Sequence, residues 1–326
     1  MKILPIFIPH QGCPNNCVFC NQYKITKTEN KIDFHQIEKL ITQFCHNNPE
    51  NSEIAFYGGT FTGINIKIQK RLLDLVSIYC PNNIKIRIST RPDYINKKIL
   101  DFCKKNKVNT IELGIQSFHN KVLRESRRGY EVSKAIAACK LIKENKFRLG
   151  IQLMPGLPGF SKETLQQTIA TTTKLKPEFV RIYPTIVLKN TELEAMYKKG
   201  CFKPLLLKDA IEITAQIITK LSKFNIKIIK SGLHSDIDSI VAGPYHNSFG
   251  EMVRSYLYEK KLQSKYKINH TLNISEKDIS LFKGYKEHLL NKIKRFFNIN
   301  QLPIKINSSL KKNQISINNE NPSAYW

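Results

Sequence analysis

The sequence predicts an α/β protein, a partial or full β/α barrel followed by a small C-terminal α+β module. Two observations carry this reading. Through residue 233 one phrase recurs: a short apolar run, a turn, then a segment with helical periodicity. Beyond about residue 245 the phrase stops, and short strands and helices follow in another order. Strands that alternate with helices pair in parallel through right-handed crossovers, and enough of them curl into a barrel.

The strand candidates, in chain order, are ILPIFIPH (3–10), EIAFYGG (53–59), IKIRIST (84–90), TIELGIQS (110–117), FRLGIQLM (147–154), EFVRIYPT (178–185) and IKIIKSGL (226–233). Between them the helical period covers 35–46, 66–79, 95–105, 132–145, 161–174 and 207–223. HNSFGEMVRSYLYEKKLQ then reads as a helix, capped through Asn247 or Ser248. A strand over 266–273, helices over 275–283 and 286–297, and strands over 302–308 and 314–318 complete the chain. The expected division is therefore a barrel core, 1–245, and a module, 246–326.

In β/α barrels the active site gathers at the carboxyl ends of the strands. The distinctive segments obey that rule. A cysteine loop follows the first strand, GGTFTG the second, STRPD the third, IQSF the fourth, MPGLPG the fifth and YPT the sixth.

With 326 residues the chain can bury a sizeable core without covalent staples. It is 41% hydrophobic and 24% charged, and no run approaches the roughly 18 apolar residues of a membrane span. MKILPIFIPH lacks a small-residue cleavage site and reads as a first strand, so a cytoplasmic protein with no membrane partner is expected. The net charge of +26 would attract a polyanion. Lysine is spread along the whole chain, however, so charge alone leaves an RNA partner and a general compositional bias both open. Cys45, Cys80, Cys103, Cys139 and Cys201 are scattered, mostly through apolar stretches, and read as small buried hydrophobes rather than a disulfide framework.

Cys13, Cys17 and Cys20 are different, spaced C-x3-C-x2-C within HQGCPNNCVFCN. Iron–sulfur clusters are held by thiolates, and a 4Fe–4S cube bound by three of them keeps one iron open to a small molecule. A structural zinc site competes with this reading, because His10 could join the three thiols as a Cys3His set.

With Phe19 before the last cysteine and a strand before the loop, this cluster resembles the signature of the radical SAM enzymes. FYGGTFTG, STRPDYI, ELGIQSF, RRGY, LMPGLPG and RIYPTIVLKNTEL resemble, in that order, the radical SAM domain of the Elongator catalytic subunit and its bacterial relatives, across roughly residues 3–250. The resemblance implies a barrel of the radical SAM type and a 4Fe–4S cluster on Cys13, Cys17 and Cys20. It implies S-adenosylmethionine (SAM) chelating the open iron and its reductive cleavage to a 5′-deoxyadenosyl radical. An electron donor such as flavodoxin or ferredoxin is implied as partner.

The same resemblance distributes the SAM contacts. Gly58, Gly59 and Thr60 would present backbone groups to the methionyl amine, and Phe19 would pack on adenine. Glu112 and Gln116, on one side of a strand by alternation, would meet the sugar and the methionyl part. Only 10 of the basic residues are arginine, and Arg91, Arg127, Arg128 and Arg181 all fall in rim motifs. Their fork suits a carboxylate or phosphate as lysine does not. Arg128 matches the family's Arg-Gly-His turn, with Tyr130 in the histidine's place, and is the expected partner of the SAM carboxylate.

Elongator-type enzymes modify wobble uridine in tRNA and carry an acetyltransferase domain after the radical domain. About 75 residues follow the barrel here, too few for that domain, and no basic N-terminal extension precedes it. The expectation is a relative lacking the acetyltransferase domain, with tRNA or other RNA as substrate. A small metabolite or a protein is the alternative substrate, and a zinc-containing RNA-binding protein without catalysis the alternative function. The tail's strand, helix, helix, strand, strand order is loosely KH-like, but GYKEH is not a GXXG loop, so a lid reading stands beside the RNA-binding one. His234 and His246 read as late rim positions.

Overall fold

The computed structural model describes residues 2–8, 13, 17–20, 32–47, 52–80, 84–233, 237–268, 270–283, 288–318 and 321–324. His10, His234 and the segment 284–287 of the GYKEH motif lie outside them.

Seven strands form one parallel sheet in chain order: β1 (Lys2–Ile8), β2 (Ser52–Gly58), β3 (Lys85–Thr90), β4 (Val108–Gln116), β5 (Arg148–Leu153), β6 (Phe179–Ile182) and, after a two-residue strand β7 (Val187–Leu188), β8 (Lys227–Ser231). All seven expected strands are present. β1 and β8 are the two edges. Ile3 and Phe7 of the first and Ile229 and Lys230 of the last line one cavity, so the sheet curls into an open half-barrel. EFVRIYPT contracts to Phe179–Ile182, because Pro184 has no N–H to extend the ladder.

The helices α1 (Phe34–Asn47), α2 (Ile66–Tyr79), α3 (Lys97–Lys105), α4 (Asn120–Glu125), α5 (Val132–Glu144), α6 (Lys162–Leu175), α7 (Glu192–Lys198) and α8 (Leu207–Ser222) include all six that were expected. Two were not: α4 and α7 are too short for the period to register. Helix starts follow side-chain chemistry. Asn65 and Asn96 accept the first free amides of α2 and α3, and Ser161 and Thr164 close a reciprocal capping box on α6.

Strand alternation decides what each face of the sheet meets. Ile54, Phe56, Ile86, Ile88, Ile111, Leu113, Leu149, Ile151, Val180 and Ile182 are buried in the main core. The intervening residues face the lumen, and there Gly150 is needed. A Cβ on it would lie 2.2 Å from Cζ of Phe179, whose ring also carries the Arg87 guanidinium at 4.5 Å.

A short strand β9 (Ile240–Ala242) pairs with β7, and α9 (Phe249–Lys265) packs between α8 and the C-terminal elements. These are β10 (Leu272–Ile274), α10 (Ile279–Lys283), α11 (His288–Phe297), β11 (Ile304–Ile306), β12 (Gln314–Ile317) and β13 (Ser323–Ala324), with the strands in the order β11-β10-β12-β13. The strand expected from residue 266 begins only at Leu272, since Tyr266 turns inward to stack edge-on against Phe297. Ser248 makes no side-chain cap on α9. His246 Nδ1 instead accepts from the Ser248 amide at 3.0 Å, and Asn247 bonds to the Tyr245 hydroxyl at 2.6 Å.

Two expectations about cysteine are corrected. Cys45 and Cys80 form a disulfide, Cα atoms 5.7 Å apart, because the ends of α1 and α2 meet there, and Cys201 is exposed on the turn after α7. Cys103 and Cys139 are buried as expected, and burial pushes both thiols up to about 12.

Replacing Gly150 with Ala forces the Phe179 ring off the sheet, and thermal or urea unfolding should report a loss of about 1–3 kcal/mol, the usual cost of overpacking.

Candidate functional site

The lumen holds buried charges because the alternating inward positions of β2, β3, β4 and β6 include ionisable residues. Glu53, Arg87, Glu112 and Arg181, from four strands, form a buried chain of charges. Arg87 pairs with Glu53, and its Nη1 lies 3.4 Å from Oε2 of Glu112. Arg181 Nε lies 3.3 Å from the same oxygen. Thr110 donates to Glu53 at 3.1 Å, and Arg181 donates to the hydroxyls of Tyr183, at 3.1 Å, and Tyr57. Burial pushes the Glu112 carboxyl up, against the pull of Arg181 and Arg87. Burial, with Glu112 beside it, pushes Tyr57 up to about 12, so its phenol stays protonated.

At the rim, the residues around Cys17 are tied down from two sides. Val18 donates its amide to Ser126 at 3.3 Å, accepts from the Leu193 amide at 2.8 Å, and packs against Val187 and Leu193. The amide of Cys20 closes a turn onto the Cys17 carbonyl at 3.0 Å. The anchors are the ends of α4 and α7 and strand β7, the small elements that sequence periodicity missed.

Two buried arginines converge on the Cys17 sulfur. Arg128 Nη1 donates to Sγ at 3.2 Å and Arg91 Nη1 at 3.7 Å. Asp93 holds Arg91 by a bidentate pair at 2.8 and 3.0 Å, and Arg91 also reaches the Arg128 carbonyl. Arg128 bonds in addition to the Gly114 carbonyl and to the Tyr130 hydroxyl, at 3.1 and 3.2 Å. Tyr130, standing where the motif has histidine, thus orients the guanidinium. Arg127 instead pairs with Glu192 at the surface.

Every residue assigned from the sequence borders one cavity of about 640 Å³: Cys13, Cys17, Phe19, Cys20, Gly58, Gly59, Thr60, Glu112, Gln116 and Arg128. Their circumstances differ. Gly58 has φ +121°, and a Cβ there would lie 2.2 Å from the Ile8 carbonyl oxygen, so the approach of β1 alone demands glycine. Gln116 reaches the cavity from a left-handed φ of +70°, at a slip of register, with Oε1 3.4 Å from Nε2 of Gln152. Thr60 Oγ1 is buried and has no hydrogen-bond partner among the described residues. The lumen residues Tyr57, Gln152, Tyr183 and Lys230 were missed, although the alternation in EIAFYG, RLGIQL and FVRIY marks the first three.

The radical SAM superfamily matches residues 7–171, and the radical SAM C-terminal domain matches residues 177–259. The chain belongs to the radical SAM superfamily. It is 31% identical to a tRNA uridine(34) acetyltransferase of Methanocaldococcus infernus over 65% of this chain and 44% of that protein. It is 29% identical to Elongator complex protein 3 of Mus musculus over 56% of this chain and 37% of that one. The solved structure of Methanocaldococcus infernus Elp3 with an N-terminal deletion superposes with a TM-score of 0.67 at 26% identity, covering 80% of this chain and 63% of that chain. The chain spans less than half the length of these two curated relatives.

The site fits the groups that this superfamily implies, an iron–sulfur cluster and SAM. Three cysteines border the cavity, and the Thr60 hydroxyl is a buried group in want of a partner. Among the described residues no group of three His, Cys, Asp or Glu side chains is gathered around one point where a metal ion could sit. No helix among the described residues is long and apolar enough to cross a membrane.

Arg87 is the keystone of the lumen charges. Arg87→Met leaves Glu53 and Glu112 short of a buried partner and should cost about 3–5 kcal/mol of stability in urea unfolding, with Glu53→Gln in the same chain restoring part of it.

Proposed function

We propose that this chain is a radical SAM enzyme that modifies RNA, with tRNA as its substrate class. One observation carries the catalytic part: three C-x3-C-x2-C thiols open onto the same lumen as an unsatisfied threonine hydroxyl and the ends of a curled parallel sheet. Support for RNA comes from relatives that are tRNA uridine(34) acetyltransferases, and from the net charge of +26.

Cys13, Cys17 and Cys20 would hold a 4Fe–4S cluster. When bound, that cluster supplies the electron that cleaves SAM to methionine and a 5′-deoxyadenosyl radical, which takes a hydrogen atom from the substrate. The chain's own residues prepare the place. Arg91 and Arg128 donate to the Cys17 sulfur and hold it at the rim. Thr60 offers its hydroxyl, and the backbone beside Gly58 and Gly59 its polar groups, to the methionyl end of SAM. Phe19 gives an apolar face for adenine, while Glu112 and Gln116 reach the sugar. Arg128 is already engaged by Cys17, Tyr130 and Gly114, so its role is with the cluster thiolate before any carboxylate.

The barrel core of residues 1–245 carries the chemistry, and the module of residues 246–326 serves as a lid on the β8 side. Flavodoxin or ferredoxin supplies the electron in the cytoplasm.

Anaerobic reconstitution should give brown protein with iron and acid-labile sulfide in equal amounts, and dithionite with SAM should then release 5′-deoxyadenosine. Single Ala replacements of Cys13, Cys17 or Cys20 should abolish both. Colourless protein holding one zinc and no sulfide would refute the proposal. A finer test uses Thr60→Val, which keeps the volume and removes the hydroxyl. Iron content should be unchanged, and the Kd for SAM by equilibrium dialysis should rise by about 1 kcal/mol, roughly fivefold.

A further inference from the structure

The carboxylates and guanidiniums of the lumen balance: Glu53 and Glu112 are met by Arg87 and Arg181. A further charged side chain bordering the cavity stands outside this balance. Lys230 on β8 is the register neighbour of Arg181, so both project from the same face of the sheet. It is half-buried, and makes no hydrogen bond or ion pair with any described residue. Burial, then Arg181 beside it, pulls its ammonium below the usual lysine range, the mark of a cation lacking its counter-charge.

Lys230 also stands at a junction. Together with Ile229 and Leu233 it borders both the central cavity and a second cleft of about 570 Å³ between β8, the start of α9 and the turn at 312–313. An ammonium stands at each end of this cleft, Lys230 at the inner end and Lys312 at the outer. Lys312 and His246 are exposed along it, and Arg254 faces it with its charge shared by Glu251, at 3.7 Å, and Asp278, at 3.9 Å. Because His246 Nδ1 accepts from the Ser248 amide, the neutral ring carries its proton on Nε2, a donor for an anion. A path with Lys312 and the His246 Nε2 donor at its mouth thus runs from solvent to the Lys230 ammonium beside the reacting space.

We propose that this cleft receives the sugar–phosphate backbone of the RNA substrate and that Lys230 pairs with the phosphate flanking the nucleoside held in the lumen. This rests on the RNA reading above. A backbone that carries one negative charge per nucleotide can meet both Lys312 and Lys230, whereas SAM, a single small molecule of net positive charge, fills only the central cavity and gives Lys230 no counter-charge.

The test uses reconstituted holoprotein and an unmodified tRNA transcript. Binding is followed by fluorescence anisotropy across a salt series for the wild type, Lys230→Gln, Lys230→Arg and Lys140→Gln, an exposed lysine on α5. SAM affinity is measured in parallel by equilibrium dialysis. Lys230→Gln should weaken tRNA binding roughly tenfold near 0.1 M salt and lower the log–log salt slope by ~1, the loss of one phosphate contact. Lys230→Arg should keep both, Lys140→Gln should keep both, and SAM affinity should not change. An unaltered slope in Lys230→Gln, beside a wild type that binds tRNA with salt dependence, overturns the proposal and spares the RNA reading. Loss of SAM affinity in Lys230→Gln also overturns it, making Lys230 a SAM ligand. A wild type without salt-dependent tRNA binding overturns both.

Discussion

The chain of charges Glu53, Arg87, Glu112 and Arg181 governs the interior of this half-barrel. A small β/α barrel normally fills its interior with branched apolar side chains. Here the lumen side of β2, β3, β4 and β6 carries ions, and ions taken out of water are tolerated only when partnered. The apolar half of each strand supplies the core against the helices, and the paired half keeps a polar lumen. Stability and cavity therefore come from opposite faces of the same strands.

A second constraint lies at the rim. Residues 17–20 have no regular structure of their own and depend on what surrounds them: the Ser126 carbonyl, the Leu193 amide and the apolar contacts of Val18. Arg91 and Arg128 then converge on Cys17. Hydrogen bonds to ligand sulfurs are among the levers that set cluster potentials, so the arginines that hold the loop would also act on the redox chemistry of a cluster bound by its cysteines.

Much of this was legible in the sequence, for a physical reason. Strand periodicity and the barrel's habit of gathering function at strand ends put the cysteine loop and the GGTFTG and IQSF turns around one space, the family resemblance added Glu112, and one cavity contains Cys13, Gly58, Thr60, Glu112 and Gln116. What escaped was short or nonlocal. α7 and the β7–β9 pair are held by docking, with little periodicity to read. The bond from Arg128 to Cys17 spans 111 positions and the Cys45–Cys80 disulfide 35, separations that no local pattern reports. Lys230 sits in IKIIKSGL, where it looks like any lysine of a lysine-rich chain; only the balance of charges around it sets it apart.

The central claim is that three cysteine sulfurs hold a cluster whose fourth iron stands open to SAM in a polar lumen. Electron paramagnetic resonance of the reduced, reconstituted protein with and without SAM tests it most directly. A spectrum of a reduced 4Fe–4S centre whose g values move when SAM is added is the predicted result. Identical spectra in the two samples, or no iron–sulfur signal at all, would contradict it.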